Sequence, residues 1–110
     1  MFSNELKKGS AELLVLSLLE HRQRHGYEIG KMIEQLSRGQ IVFRIASLYP
    51  ILCRLEDRGL IAGRWVERSG ERRRRYFRLT AAGRHLLQSQ RDVWDDFVVA
   101  VNQIVRAPND

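Results

Sequence analysis

The feature that most constrains this chain is an apolar stripe near its C-terminus. Leu87, Trp94 and Val101 recur every seven residues, and Phe97 and Ile104 repeat at the same interval one half-heptad further on. This spacing places the five side chains along one face of a long α-helix. The stripe is too apolar to remain in water, so the helix is expected to pack against another copy of the chain.

The length of the chain agrees with that expectation. At 110 residues it forms one small domain, and two separate cores are excluded. A domain of this size still exposes about a third of the surface that its unfolded chain would show. The rest of the chain is therefore too small to cover the apolar stripe of the last helix.

The composition is that of a globular protein, with 44 % hydrophobic and 29 % charged residues. The longest apolar run, at residues 13–19, is far short of the roughly 20 residues that a membrane span needs. Residues 1–9 lack the order of a secretory signal, and Cys53 has no second cysteine with which to form an internal disulfide. We therefore expect a cytoplasmic protein without a membrane segment.

The positive charge is concentrated in one part of the chain. The formal net charge is +6, and residues 61–79 alone carry seven basic and two acidic side chains. The centre of this stretch is the run of four arginines at 72–75. Such a cluster indicates a polyanionic partner, although a solvated basic turn without a ligand is the plain alternative.

Two helices are predicted in the first forty residues. Ser10 is expected to cap the first helix, although Leu6 could extend the helix backward, and the polar run before Gly26 ends it. The second spans about residues 27–37. Its apolar stripe consists of Ile29, Met32, Ile33 and Leu36.

A third helix begins at residues 46–47, with Pro50 in its first turn, and ends at Gly59. Its inward face is apolar and consists of Leu48, Ile51, Leu52 and Leu55. Its outward face carries Ser47, Tyr49 and Arg54, which suit a surface rich in hydrogen-bond acceptors. An ordinary solvent-exposed face is the alternative.

Two β-like runs follow, at residues 60–66 and 72–79, and the polar turn 67–71 separates them. Thr80 then caps the last helix, which ends in a tail at 107–110. This order of elements predicts a mainly α fold with a two-stranded β-wing, namely a winged helix-turn-helix with a long C-terminal dimerisation helix. The DNA-binding part is expected at 1–79 and the dimerisation helix and tail at 80–110, within one compact unit.

This architecture assigns roles to the exposed polar residues. Arg72, Arg73, Arg74 and Arg75 are expected to bind DNA phosphates through charge-assisted hydrogen bonds. The third helix would fix the position of the protein on the DNA and read the base sequence through Ser47, Tyr49 and Arg54. Tyr27 begins the second helix beside Gly26, so a DNA contact and a structural role are both open for it.

Several short motifs, in order, resemble those of the PadR-type transcriptional regulators. They are GYEI at 26–29, SLYP at 47–50, RLE at 54–56, GLI at 59–61 and RRRYFRLTAAG at 73–83. The resemblance covers about residues 6–105 and implies a dimeric DNA-binding repressor that a small molecule often relieves. Ala46 and Cys53 depart from the family pattern, where a glycine or other small residue and a histidine or lysine are more usual.

The C-terminal helix admits two interpretations of Trp94. The simpler is packing across a dimer axis together with Leu87, Phe97, Val101 and Ile104. In the other, Trp94 and Phe97 also flank an apolar cavity between subunits where a planar aromatic effector stacks. A dimer would place two third helices in successive major grooves, so the operator is expected to be pseudo-palindromic.

Other classes of function are less compatible with the sequence. His21 and His25 are four residues apart, but Gly26 interrupts the helix that would align them, so no metal site and no cofactor are predicted. No catalytic motif indicates an enzyme. Two rivals remain, a module that docks an acidic protein through the basic hairpin and a winged helix that prefers structured RNA.

Overall fold

A computed structural model describes residues 4–108 of the chain. In chain order the elements are α1 Asn4–Leu18, β1 Arg24–His25, α2 Gly26–Leu36, α3 Ile45–Asp57, β2 Ile61–Val66, β3 Arg74–Leu79 and α4 Ala81–Val105. This order confirms the predicted winged helix-turn-helix with an added C-terminal helix. The last two residues of the predicted tail lie outside the described part.

The wing is a three-stranded antiparallel sheet of order β1-β3-β2, and not the two-stranded hairpin that was predicted. In the hairpin, Gly63 lies opposite Phe77 and Trp65 opposite Arg75. The added strand β1 places His25 opposite Tyr76. A strand of two residues is too short to show alternation, which is why the sequence does not reveal it.

Apolar side chains from all four helices and the sheet form one core. Leu16, Leu48 and Leu55 have no exposed surface, and Phe77 is only 2 % exposed. The inward face of α3 is buried as its spacing predicts. This burial fixes which side of α3 is left to the solvent.

The ends of the helices follow the sequence only in part. Thr80 caps α4 as predicted, because its Oγ1 accepts the Gly83 backbone N–H at 3.0 Å. Ser10 does not cap α1, which begins at Asn4, and its hydroxyl instead donates to the Leu6 carbonyl one turn earlier. The predicted cap is wrong and the alternative holds, because the helix extends backward through Gly9 and Leu6.

The start of α3 also differs from the prediction. The helix begins at Ile45, so Pro50 is its sixth residue and lies in the second turn. There Pro50 cannot donate to the carbonyl of Ala46, which a helical residue at this position would do. Gly59 follows the helix at φ +74°, and the Leu60 N–H donates to the Leu55 carbonyl to close the last turn.

The first half of α4 packs against the core and its second half extends into solvent. Leu87 is 1 % exposed and lies in the core of its own chain, so it is corrected from a dimer contact to a core residue. Arg91 forms two hydrogen bonds to the Glu20 carboxylate, at 2.9 and 2.8 Å, which tie α4 to the end of α1. In the described part of the chain, no helix combines the length and hydropathy required to cross a membrane.

Candidate nucleic-acid interface

The outward face of α3 presents polar side chains to the solvent. Tyr49 is 47 % exposed, and Ser47 and Arg54 are also exposed. Their neighbours Leu48 and Leu52 are completely buried. The structure therefore leaves all three side chains exposed, as the helical spacing predicts for residues outside the buried face of α3.

Tyr27 links α2 to the wing. Its ring is 57 % exposed at the start of α2, and the Arg74 guanidinium lies over it, 5.7 Å from the ring centroid. The Lys31 ammonium lies over the same ring at 5.6 Å. Tyr27 and Lys31 also line a cleft with Ile45 and Leu48 of α3. Tyr27 therefore stands where α2, α3 and the wing meet, surrounded by positive charge.

The four consecutive arginines do not share one environment. Side chains alternate across a strand, so Arg74 points away from the core while Arg75 points toward α3. Arg75 forms an ion pair with Glu56 of α3, and its guanidinium lies over the Phe77 ring at 5.7 Å. The charge of Arg75 is therefore paired within the fold, which does not favour the phosphate contact predicted for it.

Gly63 explains how Arg75 reaches Glu56. A Cβ atom at Gly63 would stand 2.7 Å from Arg75 Nε, so the guanidinium passes directly over this glycine. The Gly63 N–H also donates to Glu56 Oε2 at 3.0 Å. Glu56 thus holds both strands of the hairpin to α3.

A basic cleft, here called the wing cleft, lies on the outer face of the sheet. It has a volume of about 430 Å³ and contains four arginines against two glutamates. Its lining residues are Arg22, His25, Glu28, Arg68, Glu71, Arg72, Arg74 and Tyr76. The cleft therefore brings Arg72 and Arg74 together with Arg68 of the turn and with Arg22, a basic residue that the sequence did not single out.

His25 forms the floor between this cleft and α2. Its Nδ1 accepts the Glu28 backbone N–H at 3.1 Å and lies 3.5 Å from Arg74 Nη1. Burial lowers the pKa of His25, and the charges of Arg74 and Arg68 lower it further, against an opposing effect of Glu28. The lowered pKa and the hydrogen bond that Nδ1 accepts both favour the neutral imidazole.

Trp65 is the functional candidate that the sequence analysis missed. It lies on β2, is 52 % exposed, and has the Arg73 guanidinium over its ring at 4.9 Å. Arg75 lies over the same ring at 5.8 Å. The available signal was the hairpin register, which sets Trp65 directly opposite Arg75.

A second exposed surface lies on α4. Trp94 and Phe97 are 45 % and 59 % exposed, with ring centroids 6.4 Å apart, and Ile104 is 78 % exposed. Val101 is also exposed, at 36 %. A cavity of about 750 Å³ runs between α1 and α4, and Trp94 and Phe97 form part of its wall.

Comparison with known proteins places this fold in a family. The family described as "Transcriptional regulator PadR-like family" matches residues 15–89, from the second half of α1 to the first turns of α4. A transcriptional regulator from Clostridium thermocellum has a TM-score of 0.86 at 28 % identity, over 96 % of this chain and 99 % of that one. A PadR family transcriptional regulator from Eggerthella lenta has a TM-score of 0.83 at 30 % identity, over 94 % and 88 %.

Bacillus subtilis PadR, whose structure was solved in complex with operator DNA, is more distant. It has a TM-score of 0.65 at 23 % identity, over 72 % of this chain and 45 % of that one, so the likeness is one of fold. Because the family match covers both α3 and the whole wing, the chain belongs to the PadR-like family of transcriptional regulators.

Proposed function

We propose that the chain is a homodimeric repressor that binds duplex DNA in a sequence-specific manner. The observation that carries this proposal is the meeting of Tyr27 with Arg74 beside the start of α3. This contact supports one surface that includes the exposed face of α3 and the basic side of the wing. Duplex DNA is a polyanion with a groove that accepts a helix, so it fits such a surface.

Within this surface the elements have different tasks. Ser47, Tyr49 and Arg54 would face the major groove, where hydrogen bonds to base edges or phosphates give register and specificity. Arg72, Arg73 and Arg74 would contact phosphates from the wing, and Tyr27 from the start of α2. The operator complex of Bacillus subtilis PadR supports duplex DNA as the partner of this fold.

The exposed half of α4 supports dimerisation. Trp94, Phe97, Val101 and Ile104 leave an apolar face that its own chain does not cover. A second copy of α4, related by a two-fold axis, would cover it. The two α3 helices would then meet half-sites about 34 Å apart, one turn of DNA, and the operator would be a pseudo-palindrome.

The cavity beside Trp94 supports control by a small planar aromatic compound. Trp94 and Phe97 offer ring faces on which such a compound would stack, next to apolar side chains of α1. Repression would be relieved if the compound favours dimers whose α3 helices no longer match successive grooves. A compound with equal affinity for both forms would have no effect.

Selection of random duplexes on the purified protein tests this function. We expect an inverted repeat to be enriched, and fluorescence anisotropy to show tighter binding to that repeat than to a shuffled duplex of equal length. A hairpin RNA at the same salt concentration serves as the control for the RNA alternative. Failure to enrich any duplex, or preference for the RNA, would show that the proposed function is wrong.

A further inference from the structure

We propose that Trp65 is a positioning residue that holds the Arg73 guanidinium in place for contact with DNA, while Arg75 and Glu56 brace Trp65 against α3. The inference rests on the proposed function, because it concerns how the wing meets DNA. It assigns different tasks to neighbouring arginines that the sequence presents as equivalent.

The first step is the contact between Trp65 and Arg73. The Arg73 Cζ lies over the indole at 4.9 Å from the ring centroid, inside the roughly 6 Å limit for a cation–π interaction. A free arginine samples many rotamers, and binding must restrict them. Stacking on the indole restricts Arg73 before DNA arrives, so less conformational entropy is lost when the complex forms.

The second step is the connection from Trp65 to α3. Arg75 lies over the indole at 5.8 Å and donates a hydrogen bond to Glu56 of α3. The same carboxylate oxygen accepts the Gly63 N–H at 3.0 Å. A continuous set of contacts therefore runs from α3 through Glu56, Arg75 and Trp65 to Arg73, and it fixes the wing relative to α3.

The charge of Arg73 remains available for DNA. The charge of Arg75 is matched by Glu56. Among the side chains that the structure describes, no carboxylate lies within the 4.0 Å ion-pair distance of Arg73. Arg73 is thus held by an aromatic face that leaves its charge uncompensated, which is the state that a phosphate would bind most strongly.

A half-exposed tryptophan on a short wing is itself in need of an explanation. Trp65 is 52 % exposed, whereas Ile61 on the same strand and face is 1 % exposed and lies in the core. Trp65 therefore contributes little to the core compared with Ile61. Its clearest described partners are the two guanidinium groups, so its role is better assigned to the wing than to packing.

A double-mutant cycle between Trp65 and Arg73 tests the inference. The probe is a fluorescein-labelled duplex of mixed sequence, with dissociation constants measured by anisotropy at one salt concentration. We expect Trp65→Leu to raise the dissociation constant about two- to fivefold, the range that an exposed cation–π pair supports. In the Arg73→Ala background the same substitution is expected to have no further effect.

Arg72 provides the matched control, since it lines the wing cleft and does not lie over Trp65. The effects of Trp65→Leu and Arg72→Ala are expected to multiply, as for independent sites. Trp65→Tyr, which keeps an aromatic face, is expected to restore most of the affinity. A general loss of structure would weaken binding in every background and would not be rescued selectively.

Each result has a defined meaning. If Trp65→Leu weakens binding equally with and without Arg73, or does not weaken it at all, the inference is wrong while the proposed function stands. If the unsubstituted protein does not bind duplex DNA, the proposed function itself fails. Should Trp65→Leu melt below the assay temperature in circular dichroism, the cycle is completed with Trp65→Val, a β-favouring residue without an aromatic face, whose effect must likewise vanish without Arg73.

Discussion

His25 caps α2 with its side chain: its Nδ1 accepts a hydrogen bond from the backbone N–H of Glu28 at 3.1 Å. The acceptor nitrogen must be unprotonated, and the Arg74 guanidinium 3.5 Å away disfavours a positive charge there. Burial and Arg74 together lower the pKa of His25. The folded protein consequently binds fewer protons at this site than the unfolded chain does.

The first prediction is a loss of stability in acid that depends on His25. The unfolded imidazole titrates near pH 6.5, so the free energy of unfolding should fall as the pH decreases from about 6.5 through the lower pKa of the folded state. His25→Asn keeps a good N-cap and removes the titration, so it should flatten this dependence. Urea unfolding at pH 7.5 and 5.5 measures the difference.

His85 provides the control for this experiment. It is exposed on α4, and His85→Asn should leave the acid dependence of the unsubstituted protein in place. A protein with His25→Asn that loses as much stability between the two pH values as the unsubstituted protein would contradict the prediction.

The second prediction concerns Gly83, which lies against the carbonyl oxygen of Leu60. A Cβ atom at Gly83 would overlap this oxygen, which also accepts the Thr80 N–H at 3.2 Å. Gly83→Ala should therefore destabilise the protein by about 1–3 kcal/mol, the usual cost of overpacking. The shift of the urea midpoint measures it.

The same substitution to alanine at Gly9 is expected to stabilise the protein instead of destabilising it. Gly9 lies inside α1, and among the described residues no atom outside the neighbouring helix backbone stands within 4 Å of a Cβ atom built on it. Gly9→Ala should stabilise the protein by about 0.5–1 kcal/mol, because alanine loses less backbone entropy in a helix. Equal shifts for the two variants would show that the contact with Leu60 does not limit position 83.

The third prediction separates Arg74 from Arg75. Arg74 faces the outer side of the wing, so Arg74→Ala should weaken all duplexes alike and reduce the slope of log affinity against log salt by about 0.9. Arg75 is paired with Glu56, so Arg75→Ala should leave the slope unchanged. It should instead lower stability by about 1.5–3 kcal/mol, as for a lost hydrogen bond to a charged group.

Anisotropy titrations over a series of salt concentrations, together with urea unfolding, measure both quantities for each variant. Arg73→Ala together with Arg74→Ala should lower the slope about twice as much as either substitution alone. A reduced slope for Arg75→Ala would place this residue on the DNA and contradict its assignment to the fold.

The different environments of the four arginines could not be predicted from the sequence. Strand alternation implies that neighbouring arginines point to opposite sides of the hairpin. Which of them point toward α3 depends on the register of the hairpin and the length of its turn. Gly63 leaves room for Arg75 to reach Glu56 and lies two strand positions from Trp65. No sequence motif marks this glycine as the one that Arg75 crosses. The positive charge of this run was therefore predictable. Which arginine pairs within the fold and which ones face outward was not.

The helices were easier to predict than their ends. The buried face of α3 follows directly from the spacing of its leucines, because periodicity reports burial. The cap of α2 was missed because histidine is not among the preferred capping residues. The heptad spacing of α4 could not tell Leu87 from Trp94, since periodicity does not distinguish a side chain buried in the core of its own chain from one left exposed on the same helix face.

The last prediction concerns the exposed half of α4. Ile104 is 78 % exposed on the face that carries Trp94 and Phe97, and by symmetry a dimer would bury it twice. Burial of one such side chain contributes about 1.5–3 kcal/mol, so Ile104→Glu should raise the dimer dissociation constant at least a hundredfold. Sedimentation equilibrium measures this constant directly.

Val99 is the matched control because it lies on the opposite side of the same helix and is 57 % exposed. Five residues separate it from Trp94, which turns its side chain roughly 140° around an α-helix. Val99→Glu introduces the same charge and should leave the dimer intact. If Ile104→Glu raises the dissociation constant no more than Val99→Glu does, the apolar stripe is not the contact between two copies.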